Sequence, residues 1–288
     1  KRAFPDSDFI RYKGVFMINI YYCADNRMFP QLLLSVLSLV KTNGAPLNVI
    51  NLTVEIPEYN PKGKKTTPEQ TAFLDRILKE KNPESRFTTV DVSDLFREKL
   101  LFGPNLHNKY YSYYVTVRLV AHLVREIPDK VLYLDTDCIV KDDLTDFYNL
   151  DMEGVEIAGR KDKHRLTRYF QSGVMLMNMK LIRETGLLER ACRLCTTKKY
   201  ICYIDMSALN TATKARRILP ARYNSFQNVP CYVFHVCDLR EGKIPLTKKW
   251  WHRIKPDEID AFTARLPEFG YLKDSFTKIK AEHPSLFS

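Results

Sequence analysis

Hydrophobic and polar positions alternate between two periods along the chain, and the order of those periods predicts an α/β protein. Val15 to Tyr22 is a short apolar, β-prone run and is taken as the first strand. Phe29 to Val40 then carries Leu33, Val36, Leu37 and Val40 on one helical stripe, ended by Asn43-Gly44. Leu47 to Glu55 predicts the second strand, stopped at Pro57. Thr67, Pro68 and Gln70 have the order of an N-cap, a proline in the first turn and a capping-box partner, so a helix is expected from there to about Lys81. Phe87 to Val92 reads as a third strand, Tyr113 to Arg125 as a helix, and Val131 to Leu134 as a compact buried strand. Further on, Gly173 to Asn178 reads as a strand, Leu181 to Leu194 as one helix, Asp205 to Thr213 as a short helix and Tyr232 to Val236 as a strand. Strands alternating with helices predict a mixed, mostly parallel sheet flanked by helices.

After Gly242 the composition turns basic, aromatic and polar. The expected division is a catalytic domain over 1–244 and a helical extension over 245–288 packed on it. Trp250, Trp251, Phe262, Phe269, Tyr271 and Phe276, set among lysines and arginines, suit a peripheral contact with anionic lipid. A packed terminal helix with a basic outer face is the competing reading.

Composition adds bounds. The 288 residues are 45% hydrophobic and 27% charged, as in ordinary globular chains. No apolar run reaches the roughly 18–20 residues of a membrane span, and Lys1 to Phe9 lacks a signal-type apolar core, so a cytoplasmic protein, peripheral on a membrane at most, is expected. The seven cysteines read as buried, reduced thiols; Cys192 and Cys195 form a CxxC without a second pair at zinc spacing. The net charge of +11 gathers in clusters at Lys62, Lys64 and Lys65, at Lys161, Lys163, Arg165 and Arg168, and at Lys248, Lys249, Arg253 and Lys255. No nucleic-acid module accompanies them, so a phosphorylated substrate or an anionic surface is expected instead.

The chemistry concentrates in Lys130-Val131-Leu132-Tyr133-Leu134-Asp135-Thr136-Asp137. Ligands of open α/β sheets bind beyond the carboxyl ends of strands. Residues two apart in extended chain point the same way, so Asp135 and Asp137 can converge. Two carboxylates at one point repel unless a cation lies between them or one takes a proton. A divalent ion that also binds phosphate is the direct solution. His235, closing the run Tyr232-Val233-Phe234, offers a third ligand whose nitrogen favours manganese over magnesium.

Five segments together resemble glycosyltransferase family 8. They are the strand with its DxD over Lys130 to Val140, Tyr169 to Asn178 beside the family's FNSGVMLMN, Tyr203 to Asn210 beside its DQDxLN, Phe234-His235, and Cys23-Ala24-Asp25-Asn26 after the first strand. The resemblance runs over roughly residues 15–240. It implies a GT-A fold, a UDP-sugar donor, manganese (magnesium as the alternative) and retention at the anomeric carbon. It further implies a hexose, glucose or galactose, delivered to a carbohydrate, glycolipid or glycoprotein acceptor. Carried over, Cys23, Ala24 and Asp25 hold uracil and ribose, and Asp135, Thr136, Asp137 and His235 form the metal and diphosphate site. Arg118 and Asp162 contact the donor, Gln171, Ser172, Gly173 and Asp205 line the sugar pocket, and Lys243 (or Lys248) meets phosphate. The catalytic set implied is Arg118, Asp162, Asp205 and residue 206. Met206 and Ser207 stand where the family has glutamine and a second acid, and Gln171 where it has asparagine. A thioether cannot play the polar role of that amide, which weakens a double displacement through residue 206, so same-face attack is expected. A nucleotidyltransferase of related fold and a catalytically weakened UDP-sugar-binding protein are the alternatives.

Overall fold

The computed structural model describes residues 17–101, 103–105, 112–162, 169–198, 203–236 and 259–288. Lys243, Lys248, Trp250 and Trp251 lie outside the described residues, as do Lys163, Arg165 and Arg168.

The elements follow in the order β1 (Ile18–Cys23), α1 (Phe29–Thr42), β2 (Leu47–Thr53), α2 (Pro68–Lys81), β3 (Arg86–Asp91) and α3 (Ser93–Leu100). A 3-10 helical segment, Tyr113–Leu123, leads to β4 (Lys130–Leu134), β5 (Cys138–Val140), α4 (Thr145–Tyr148), β6 (Ile157–Lys161) and β7 (Phe170–Asn178). Then come α5 (Met179–Thr185), α6 (Leu187–Thr197), α7 (Ile204–Ala212), β8 (Arg216–Leu219), β9 (Val233–His235), α8 (Ile259–Arg265) and α9 (Gly270–Glu282). Seven strands form one sheet in the order β3-β2-β1-β4-β7-β6-β8. β7 runs antiparallel to both its neighbours, and the other pairings are parallel. β5 and β9 make a separate antiparallel pair.

Burial explains the unbroken apolar runs. Ile18, Ile20, Tyr22, Leu132, Leu134, Val174 and Leu176 belong to one core. Their neighbours Tyr21, Cys23, Val131, Tyr133, Met175 and Met177 belong to a second. Alternate residues of each strand therefore feed opposite faces, and both faces are covered.

The capping box at Thr67 and Gln70 forms as expected. Several expectations need correction. Asn43 ends α1 in an extended conformation, its side chain donating to Leu39 O at 3.0 Å, so no left-handed glycine cap is used. The expected helix 181–194 is two helices, because Gly186 at φ 66 closes α5 and turns the chain into α6. The segment after Ser112 winds as 3-10 and stops at Leu123, where its run of β-branched Val115, Thr116, Val117 and Val120 disfavours an α-helix.

The tail aromatics are also corrected. Phe262, Phe269 and Phe276 are each at most 3% exposed and sit in the first core, with Tyr271 packed against it. The three phenylalanines are core side chains and face no lipid. No helix among the described residues is long and apolar enough to cross a membrane.

Candidate active site

The sheet topology gathers the predicted residues at one edge. From β1 the chain moves outward to β2 and β3 and returns on the other side as β4, so the order reverses between β1 and β4. Such a switch point opens a crevice at the strand carboxyl ends. Tyr21 pairs with Tyr133; two residues further on each strand stand Cys23 and Asp135. Because β7 is antiparallel to β4, its start lies at the same edge, and Asp135 N donates to Gly173 O at 2.8 Å. β6 ends beside the start of β7, bringing Asp162 to Gln171, whose Nε2 donates to Asp162 Oδ2 at 2.8 Å. The first turn of α7 adds Asp205, whose Oδ2 accepts from Ser172 Oγ at 3.0 Å.

Arg118 ties these parts from below. Its Nη2 donates to Asp135 Oδ1 at 2.7 Å and its Nη1 to Ser172 O at 2.7 Å, and Nη1 lies 3.4 Å from Asp205 Oδ2. The guanidinium stacks 4.2 Å from the Tyr133 ring centroid. Burial opposes its charge, but Asp135, Tyr133 and Asp205 outweigh that and hold its pKa well above the ordinary value. Arg118 Nε is buried without a hydrogen-bond partner among the described residues, a donor left for a ligand. Burial pushes the Asp205 carboxyl up, while Arg118 pulls it down.

Asp135 Oδ1 also accepts from Tyr133 Oη, so its second oxygen, Oδ2, is the one facing His235. His235 Nε2 lies 3.7 Å from Asp135 Oδ2 and 3.2 Å from Asp137 Oδ1. Two donors about 2.1 Å from one ion stand about 3.0 Å apart at a right angle and about 3.4 Å apart at the tetrahedral angle. The 3.2 Å pair of His235 and Asp137 falls within that range, and the 3.7 Å pair of His235 and Asp135 lies about 0.3 Å beyond it. His235 reaches the aspartates through β9, whose pairing with β5 sets His235 opposite Cys138. Thr136 occupies the turn between the two aspartates. Gly173 lies beneath His235: an added Cβ would come 2.1 Å from His235 Cε1 and 2.7 Å from Asp135 Oδ2.

The turn after β1 is more structural than expected. Asp25 Oδ1 accepts from Arg27 N at 3.0 Å and Met28 N at 2.9 Å, and Oδ2 pairs with the Arg27 guanidinium at 3.1 Å. Ala24 O accepts from Asn51 and Thr66. Burial pushes the Cys23 thiol up, well above its ordinary value. Met206 is buried beside Asp205, and Ser207 Oγ accepts from Tyr169 Oη at 2.8 Å. The sequence reading passed over two residues. Tyr133 betrays itself only by standing two positions before Asp135. Cys138 has donor atoms within 4.8 Å of those of Asp137 and His235, a closeness hidden in the pairing of two three-residue strands.

Comparison with known proteins agrees with this architecture. The structure resembles that of LgtC, a galactosyltransferase solved in complex with donor and acceptor sugar analogs, with a TM-score of 0.65 and 20% identity over 90% of this chain and 96% of that one. It also resembles the glycosyltransferase GlyE of Streptococcus pneumoniae TIGR4, with a TM-score of 0.59 and 19% identity over 91% of this chain and 64% of that one. Among sequences, glycosyltransferase GlyF of Streptococcus pneumoniae serotype 4 is 30% identical over 147 residues, half of this chain and 35% of that protein. The lipopolysaccharide 1,2-glucosyltransferase of Escherichia coli K12 is 27% identical over 117 residues, 35% of each chain. The match spans about a third of the length of these two relatives. The fold is the GT-A fold of these glycosyltransferases. The chain belongs to Glycosyl transferase family 8, whose profile matches residues 19–233.

Proposed function

We propose that the chain transfers a hexose, glucose or galactose, from a UDP-sugar to a hydroxyl of a carbohydrate, glycolipid or glycoprotein acceptor, with manganese and with retention. The observation that carries this reading is that Asp135 and Asp137 each stand within 4 Å of His235 Nε2, at 3.7 and 3.2 Å, at the switch between β1 and β4. Asp135, Asp137 and His235 would hold a divalent ion, which would supply charge stabilisation for the departing diphosphate. One unit cation at about 4 Å contributes on the order of 4 kcal/mol at an effective dielectric of about 20. Arg118 fixes Asp135 and, through Nε, has one donor left for the donor substrate. Asp162 and Gln171, hydrogen-bonded to each other, would bind sugar hydroxyls as a pair.

The residues favour same-face attack. Asp205 is engaged by Ser172 and Arg118, which leaves it poorly placed as a nucleophile. Attack by Met206 would leave a sulfonium charge on a buried thioether, and the Ser207 hydroxyl is tied to Tyr169. The acceptor proton then passes to a donor phosphate oxygen as the new bond forms on the side the diphosphate leaves. A nucleotidyltransferase would want a glycine-rich basic loop after β1, and the turn there is instead Ala24 to Met28, capped by Asp25.

The test is a panel of UDP-sugars with manganese, scored for UDP release with and without sugar acceptors. UDP from one hexose donor, lost on Asp137→Ala, is expected. UDP binding without release from any donor would leave the weakened binding protein as the better reading. Met206→Ala is expected to cost less than about tenfold in kcat, about 1.4 kcal/mol. A loss a hundred times larger would put residue 206 at the reacting carbon.

A further inference from the structure

We infer that the metal centre contains a second, overlapping donor set, Asp137, Cys138 and His235, which binds thiophilic ions of the zinc class in competition with manganese. The inference rests on the metal-centre reading above and extends it to a residue that reading does not use.

The geometry comes from the small sheet. Cys138 and His235 are directly opposed across the β5–β9 pair, and opposed residues of an antiparallel pair project on the same face. Asp137 stands at the head of β5. One donor atom from each of the three lies within 4.8 Å of the others. Both Cys138 and His235 are buried, so an ion between them would lose most of its water and bind through protein donors. Sulfur and nitrogen on one tetrahedral zinc ion stand about 3.6 Å apart, so these two donors need to close by at most about 1.2 Å.

The donor chemistry decides which ions profit. Asp135, Asp137 and His235 offer two oxygens and a nitrogen, a set that manganese accepts. Exchanging Asp135 for Cys138 gives oxygen, nitrogen and sulfur, which suits zinc, cobalt and cadmium. Manganese stands at the weak end of the affinity order for divalent ions and gains little from sulfur. The two sets share Asp137 and His235, so one ion excludes the other. An ion taken by Cys138 leaves Asp135 without its metal and removes two of the three ligands needed for manganese. Zinc should therefore inhibit by displacing manganese, and the selectivity should reside in Cys138.

Cobalt reports the sulfur directly, because a bound thiolate adds a near-ultraviolet charge-transfer band that oxygen and nitrogen ligands lack. Metal-free protein titrated with cobalt is expected to develop that band to one equivalent and to lose it on zinc addition. Cys138→Ser should abolish the band, while Cys231→Ser and Cys237→Ser should keep it. Cys138 is a core residue, so Cys138→Ala is measured alongside, each variant being checked for native circular dichroism. The zinc concentration that displaces half of the bound manganese, read by paramagnetic resonance, should rise at least tenfold in both variants. Cobalt binding without the band in the wild-type protein, or the same band in Cys138→Ser and Cys138→Ala, overturns the inference. The functional reading is separable. Manganese-dependent UDP release with no thiolate band removes only this inference, whereas a Cys138-dependent band with no UDP release removes only the transferase reading.

Discussion

Gly173 is required by what sits on it. A methyl at this position would overlap His235 and press on Asp135 Oδ2, the two groups that face each other across the candidate metal site. Gly173→Ala is therefore expected to fold, with its damage confined to the centre. The manganese Kd should rise at least tenfold, about 1.4 kcal/mol, as read by calorimetry. A Kd within twofold of wild type would show that His235 can move aside without loss. Asp205 supports a pH prediction. Burial raises its folded-state pKa above the ordinary value, against the pull of Arg118. Such a group favours the folded state when protonated, so its cost is full above the raised value and fades as pH falls toward about 4. Urea unfolding of Asp205→Asn against wild type should show the stability difference moving in favour of wild type over that acid range. A difference constant with pH would mean that Asp205 titrates alike in both states. Asp135 and Asp137 were legible because two carboxylates ending an apolar strand need a physical reason. The contacts of Gly173 and Tyr133 were not, since each depends on residues brought in from another strand or helix.

At the scale of elements, legibility followed the length and punctuation of each pattern. α2 was readable to the residue because Thr67-Pro68-Glu69-Gln70 encodes its own start: Thr67 Oγ1 accepts from Gln70 N at 3.1 Å and Gln70 Oε1 from Thr67 N at 3.0 Å. Thr67→Ala is expected to cost about 1 kcal/mol, a fall of about 2–4 °C in Tm for a domain of this size. A calorimetric Tm within half of that range would show the turn held by other contacts, such as Gln70 Nε2 on Leu286 O at 2.8 Å. The 181–194 segment misled because its apolar spacing runs on through Gly186, where only the backbone changes direction. β5 and β9 have three residues each, too few for a period to register. Yet their pairing is what carries His235 to the aspartates.

Across the whole molecule, the C-terminal segment is joined to the site through the core. Phe269 stacks on Phe262 at 5.5 Å and on Phe234 at 6.0 Å between ring centroids, and Phe234 precedes His235 in β9. Phe276 lies elsewhere in the same core, edge-on to Phe287 at 5.3 Å, which in turn meets Phe29 of α1 at 5.4 Å. Phe262, Phe269 and Phe276, three of the aromatic residues that suggested a lipid contact, thus hold this segment against β9 and α1. The two phenylalanines separate stability from site geometry. Phe269→Ala and Phe276→Ala should each cost about 3–5 kcal/mol of unfolding free energy, the usual range for emptying a buried phenylalanine site. Only Phe269→Ala removes the ring that backs Phe234, so only it should also weaken manganese binding, by about threefold to tenfold. Paired denaturation and manganese titrations check this. If Phe276→Ala weakened manganese as much as Phe269→Ala, loss of general stability would explain both, and the specific path from the tail through β9 to His235 would fall.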